Sequence, residues 1–523
     1  NTADPNVALE VIGDISGSST STGSFGALSL AGRVQSHLIP KSNAVYTLGT
    51  PSVRWNFLYI NNGITVSDGN FTTNNSFKFN KPLHVTGNIS GSSTSTGSFG
   101  TLHIPGKFIL DSTSRISLSN NDAGADSGTQ NGKDSTSGNT LFGYGAGGTI
   151  DLNTVNNTFI GHGSGDGSKS DAQANTGLGT YSLNSLTSGD SNVAVGYLAL
   201  EDLTAGTLNV AIGASAMAQA STAADKNVAI GANAMDGNWT SANVDGVVAI
   251  GYNSLGGVLT TDATATVAIG MESLKALTSG IGNVAIGYQA LLVEDDGDHN
   301  TAIGYQALKS QTGTSGTVGN TAMGFAAGES VLTGVRNTYI GSNAGQKASG
   351  SAADDNTALG YQALQANASG SNNVALGAYA LKSAHNVKDV VAIGRNTLGN
   401  LTNSTDPDGS TAVGTAALKE LTTGIGNTSF GYQAATNITT GYGNTVMGYL
   451  AFSTANGAEN QSVVIGKEAG KDINSNSTTE NVIIGSNAGT GGTGNMINAV
   501  IIGSKAANST AANSHTGIVA IGY

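Results

Sequence analysis

The chain contains no cysteine, so neither disulfides nor thiolate chemistry enters its design. Charge is scarce. Lys, Arg, Asp and Glu together make up 11% of 523 residues, against about 25% in ordinary soluble domains. What charge there is sums to −13, with no basic cluster, which excludes a nucleic-acid partner. No apolar run approaches the ~20 residues that cross a bilayer, so no membrane span is expected. Aromatic residues are few, at 6%, and large Leu/Phe cores cannot be built from them.

Catalytic constellations are missing as well. The seven histidines, His37, His84, His103, His162, His299, His385 and His515, include no pair at metal-ligand spacing. The run Gly161–Gly167 followed by Lys169 and Ser170 has the look of a phosphate loop, but Ser168 stands where that motif needs glycine before lysine. No Gly-x-Ser-x-Gly elbow sits at a strand-to-helix turn. The expectation is a protein without catalytic residues, without a cofactor, and not an enzyme. The densest acidic turn, Glu294-Asp295-Asp296-Gly297-Asp298, offers Asp295, Asp296 and Asp298 as weak Ca²⁺ candidates. It matches no calcium-loop motif and reads better as a solvated turn, as does Asp406-Pro407-Asp408-Gly409.

What the chain has in excess is glycine, 76 residues, about twice the ~7% average, and repetition. From Asn139 onward one phrase recurs, clearest at Asn283–Leu291, Asn300–Leu308 and Asn356–Leu364. Its central glycine appears 22 times between Gly143 and Gly522, a distance of 379 residues in 21 steps, or about 18 per step. Steps run from 17 to 20 residues, with 17 the commonest. A floor with small additions is the mark of a fixed coil with one tolerant loop. The longest steps place their extra residues late in the unit, at 236–245 and 400–409, in turn-forming Gly, Asn, Asp, Ser and Thr.

Only about 8 residues separate one phrase from the next, too few for a helical hairpin repeat. Each unit therefore reads as one coil of two or three short strands. In Asn283-Val284-Ala285-Ile286-Gly287, Val284 and Ile286 share a face. The residue before the glycine is large and apolar in every copy, as in Phe142, Ile160, Met323 and Phe430, and is expected to be core. Ala285 and Gly287 form a small second face, expected to receive another chain packed side by side. One coil fixes about 18 residues at ~1–2 kcal/mol each and recovers only ~1.5–3 kcal/mol for each of its few apolar side chains. Coils must therefore stack to be stable.

The first 138 residues differ. Asp14–Gly26 returns almost intact as Asn88–Gly100, which suggests a duplicated β-rich stalk. The expected organisation is a stalk module at 1–37, a second β module at 38–87, another stalk module with a Gly-rich linker at 88–138, and the solenoid at 139–523.

Leu38–Tyr59, with Leu48-Gly49 followed by Arg54-Trp55 and an aromatic, resembles a module of tailed-phage tail fibres. The phrase Ser16–Gly26 is similar to those of marine-phage fibre proteins. The Val-Ala-Ile-Gly coils resemble the head repeats of trimeric autotransporter adhesins, which are parallel β-rolls, although the period here is longer. These resemblances imply an all-β fold, a parallel β-solenoid (β-roll) assembled as a homotrimeric fibre. They also imply a structural and adhesive role as a tail-fibre shaft or, alternatively, a bacterial adhesin or extracellular filament. The implied partners are further copies of the chain, other virion or filament subunits, and a host-surface glycan or protein.

Overall fold

The computed structural model describes residues 138–523, except 152, 221–223, 240–243, 261–262, 313–315, 349–352, 402–406, 474–478, 491–494 and 509–514. The modules expected at 1–37, 38–87 and, but for Gly138, 88–138 lie outside the described residues.

The described chain is a parallel β-solenoid. Every repeat contributes one three-residue strand, and these form a single 22-stranded parallel sheet. Register is strict: Val284, Ala285 and Ile286 pair with Thr301, Ala302 and Ile303 of the next coil, and the same positions pair throughout. The described residues contain no helix. Among the described residues the expected second and third strands are reduced to two short pairings, Gly297–Asp298 with Gly316–Thr317 and Met496–Ile497 with His515–Thr516, and a few isolated bridges. The rest of the described coil backbone is turn, bend or irregular. Its N–H and C=O groups still pair with neighbouring coils: Gln306 N–H donates to Tyr288 O below (2.9 Å), and Leu308 N–H to Ala327 O above (3.0 Å). Gln306 and Leu308 have φ of 53° and 49°. Such left-handed corners are costly for side-chain-bearing residues, and the coil-to-coil bonds over-determine them.

The strand faces are the reverse of the sequence expectation. The middle residue points inward: Ala285, Ala302 and their equivalents are fully buried. Val284 and Ile286, expected in the core, are only half-buried. The physical reason is room. A coil of 17 or 18 residues encloses a narrow space, already occupied by the repeat asparagine and by an alanine and a leucine of the following turn, such as Ala290 and Leu291. Only a small third group fits opposite them.

Volume is exchanged across this space. In most coils with Ala or Gly at the inward strand position, the residue four after the repeat glycine is large, as in Ala285 with Leu291 or Gly177 with Leu183. Where the strand residue is large, that partner is commonly glycine, as in Phe159 with Gly165, Tyr339 with Gly345 and Ile483 with Gly489; Ala322 with Gly328 and Val446 with Phe452 depart from the exchange. A Cβ on Gly165 or Gly345 would collide with the ring of Phe159 or Tyr339. The sum stays constant because interiors tolerate neither voids nor overlap.

The repeat glycine serves neighbouring coils, not a neighbouring chain. Gly287 has φ +134°, and a Cβ there would strike the carbonyl oxygen of Gly304 in the next coil. Equivalent glycines stack one above another along the column.

The repeat asparagine is buried and forms a ladder. Asn157 Nδ2 donates to Ala172 O (2.8 Å), while Asn157 Oδ1 accepts the N–H of Asn175 in the next coil (2.8 Å). Asn175 repeats the pattern with Gly189 O and Asn192 N–H. Each side chain thereby satisfies backbone groups that the turns would leave orphaned.

Candidate functional site

The strand inversion turns the apolar residues outward. Alternation along an extended chain puts three positions on one face: the residue before the inward one, the residue after it, and the residue after the glycine. In one coil these are Val284, Ile286 and Tyr288; in the next, Thr301, Ile303 and Tyr305. The central column is Ile, Leu, Val, Met or Phe in all 22 copies. Within the stack its exposure is 48% at Leu359 and 46% at Met447, and it is higher in the end coils, at Phe142 and Ile521. The third column carries aromatic rings that stack coil on coil. Tyr288 and Tyr305 are 5.1 Å apart, Tyr305 and Phe325 5.2 Å, and Tyr432 and Tyr449 5.4 Å between centroids.

This face is large. Twenty-two strands give 21 spacings, so at ~4.8 Å each the face is roughly 100 Å long, and three alternating side chains make it about 15 Å wide. Its area is on the order of 1,500 Å². The flanking columns include polar residues such as Thr301, Thr338, Arg395 and Lys467, but the unbroken central column alone is about a third of that, at the upper end of the roughly 300–600 Å² of the largest apolar patch on a monomeric protein.

The acidic turn is not the solvated loop that its sequence suggests. Glu294 occupies the inward slot that Leu277 and Leu421 fill in other coils, and it is fully buried. Its Oε1 accepts Gly297 N–H (2.7 Å) and its Oε2 accepts Gln311 Nε2 (2.6 Å); Gln311 in turn accepts Asn320 Nδ2 (3.0 Å). Burial, with help from Asp295, pushes the Glu294 carboxyl up from its ordinary range, against the pull of those hydrogen bonds. Asp296 is also pushed up, by desolvation and by Asp295 and Asp298.

The structure brings Asp295 and Asp296 together with Glu294, their oxygens within 4.8 Å of one another. Asp298 is placed apart from that group. Its carboxylate accepts the N–H of Ile281 in the preceding coil (2.9 Å). Asp190, Asp354 and Asp408 do the same for Gln173, Val335 and Lys388. This aspartate column closes turns between coils, and the repeat spacing of these residues was the signal for it. Both Glu294 oxygens are already engaged by Gly297 and Gln311, and the four oxygens left on Asp295 and Asp296 are fewer than the six to eight that Ca²⁺ takes.

Lys169, of the abortive phosphate loop, is buried and fastens carbonyls instead. Its Nζ donates to Gly165 O, Gly167 O and Leu186 O and lies 5.1 Å from the Phe159 ring centroid. Burial lowers its pKa to about 8. Of the described histidines, His162 sits in the aromatic column between Tyr144 and Tyr181, and His299 is exposed at a left-handed corner.

No helix of the described residues is long and apolar enough to cross a membrane. No family model, curated protein or solved structure matches the chain.

Proposed function

We propose that this chain is the subunit of a homotrimeric, non-catalytic fibre, the shaft of a tail fibre through which a virion attaches to its host surface. The observation that carries the assembly is the outward apolar face. Covering a face built on an unbroken column of Ile, Leu, Val, Met and Phe is favourable, and its area of about 1,500 Å² is of the size that stable interfaces bury. A parallel, in-register stack presents the same face in every coil, so further copies of the chain are the partners that match its length and period. The number three and the tail-fibre assignment rest on the resemblances in the repeats and in Leu38–Tyr59. The repeats favour a second reading, a bacterial adhesin or extracellular filament at the cell surface, because the Val-Ala-Ile-Gly coils resemble adhesin heads. In either reading other structural subunits hold the fibre, and no small cofactor is required.

Immunogold electron microscopy on the producing culture tests the reading. Label on the tails of virus particles is expected. Label on bacterial envelopes supports the adhesin. Label confined to soluble, unattached protein would overturn both.

A further inference from the structure

The solenoid's charged residues are few, and most described lysines and arginines near a carboxylate use it: Lys275 with Glu272, Arg336 with Asp355, Lys419 with Glu420, and Lys467 and Lys471 with Glu468. A hollow of about 410 Å³ spans three consecutive coils and is lined by Lys347, Gln365, Ala366, Ala368, Lys382, Ser383 and His385. Lys347 and Lys382, like several other described cations, are in no ion pair among the described residues, and here two of them line one hollow.

Register explains the hollow. Lys347 belongs to the first coil, Ala366 and Ala368 to the middle one, and Lys382 and His385 to the third. The alanines make a low floor between two cationic rims that lie two coils, or about 9.6 Å, apart along the stack. The rims are held in place. Lys382 Nζ lies 5.0 Å from the Tyr379 ring centroid. His385 Nδ1 lies 3.0 Å from Ser383 O and so donates to it, which leaves Nε2 for a ligand. Gln365 is fixed by a ladder in which its Nε2 donates to Gln346 Oε1, and Gln346 Nε2 donates to Glu329 Oε2 (both 2.9 Å). The nearby carboxylates are engaged: Glu329 by Gln346, Asp355 by Arg336, Asp389 by Asn372.

We propose that this hollow binds an acidic oligosaccharide, with its carboxylate or sulfate groups on Lys347 and Lys382 and its hydroxyls on Gln365, Ser383 and His385. Two cations separated by a neutral, hydroxyl-compatible floor suit a chain of sugar rings whose charges are spaced rather than continuous. An anionic bilayer extends well beyond the hollow and would there meet a protein of net charge −13 and be repelled. The inference names the ligand class for the attachment role proposed above and takes its biological sense from that reading, but its chemistry needs only the folded solenoid.

Titration calorimetry at low salt with the full chain tests it, using a heparin oligosaccharide, a uronic-acid oligosaccharide, neutral maltohexaose and phosphatidylserine vesicles. Binding of one or both acidic sugars is expected, weakening with added salt. Heparin alone assigns sulfate, and the uronate alone assigns carboxylate. Lys347→Glu/Lys382→Glu should weaken binding by about tenfold or more, with unchanged circular dichroism and melting. Lys226→Glu/Lys309→Glu, away from the hollow and from the outward face, should leave it unchanged. No binding of either acidic sugar, equal loss in both double variants, or equal binding of the vesicles or the neutral sugar would overturn the proposal. Light scattering on the same samples separates the two readings: a monomer that binds sinks the assembly alone, and an assembled rod that does not bind sinks the hollow alone.

Discussion

The two faces of each three-residue strand carry residues of similar hydrophobicity and face opposite fates. The inward face is governed by volume. Ala285, Phe159, Tyr339 and Ile483 are all accepted there, each with a partner of complementary size. The outward face is governed by chemistry alone. Its central column varies freely among Ile, Leu, Val, Met and Phe with no compensating change. A position that demands compensation is enclosed by its own chain. A position that demands only apolarity is not enclosed by its own chain, and it is there that the proposed assembly would cover it.

The comparison can be broken most severely at the hinge of the two faces. Gly287→Val places a β-branched residue at φ +134° against the Gly304 backbone. It should cost more than ~3 kcal/mol, read as a lowered melting temperature and faster hydrogen exchange at 284–304. Next comes overfilling of the interior. Ala285→Leu should cost ~1–3 kcal/mol, and Leu291→Gly alone ~2–5 kcal/mol. Together they imitate Ile483 with Gly489 and should be more stable than Leu291→Gly, with a favourable coupling above ~0.5 kcal/mol in a double-mutant cycle. Strict additivity would refute the volume exchange. Removal of one rung, Asn175→Ala, strands the Gly189 carbonyl and the Asn192 N–H and should cost ~1–3 kcal/mol in chemical denaturation.

The smallest effects are in pH dependence, and these belong to the inward side. Lys169 has a folded pKa of about 8, below its ordinary 10.5. Between those values the unfolded chain binds more protons than the folded one, so stability should rise with pH from 8 to 10.5. Glu294 is shifted upward. The folded state then binds the extra proton, so its contribution to stability falls as pH rises above 4.5. Lys169→Met and Glu294→Gln should each flatten their own limb of a melting-temperature profile. A limb that persists in the variant would assign it to other groups.

The period, the strand and the glycine column were legible in the sequence because each leaves a fixed residue type at a fixed spacing. The facing was not. With apolar residues at both flanks of the strand and alanine between them, no polar residue marks the solvent side, and ordinary alternation assigns the larger pair to the core. The deciding fact, the narrowness of the coil, is written only in correlated pairs such as Phe159 with Gly165. The acidic turn misled for a related reason. Nothing local distinguishes Glu294, which takes a leucine's inward slot, from its neighbour Asp295, which is exposed; only alignment of the repeats does. The hollow at Lys347 and Lys382 was invisible, because its residues lie on three coils and meet only through the register.

The most direct test of the outward face is the molar mass of the full chain in solution by multi-angle light scattering, alone and as Ile286→Glu/Ile303→Glu. The account predicts three times the 51.9 kDa chain mass for the native protein, and a shift toward the chain mass with β-structure retained for the variant. A folded native protein at the mass of one chain would contradict it.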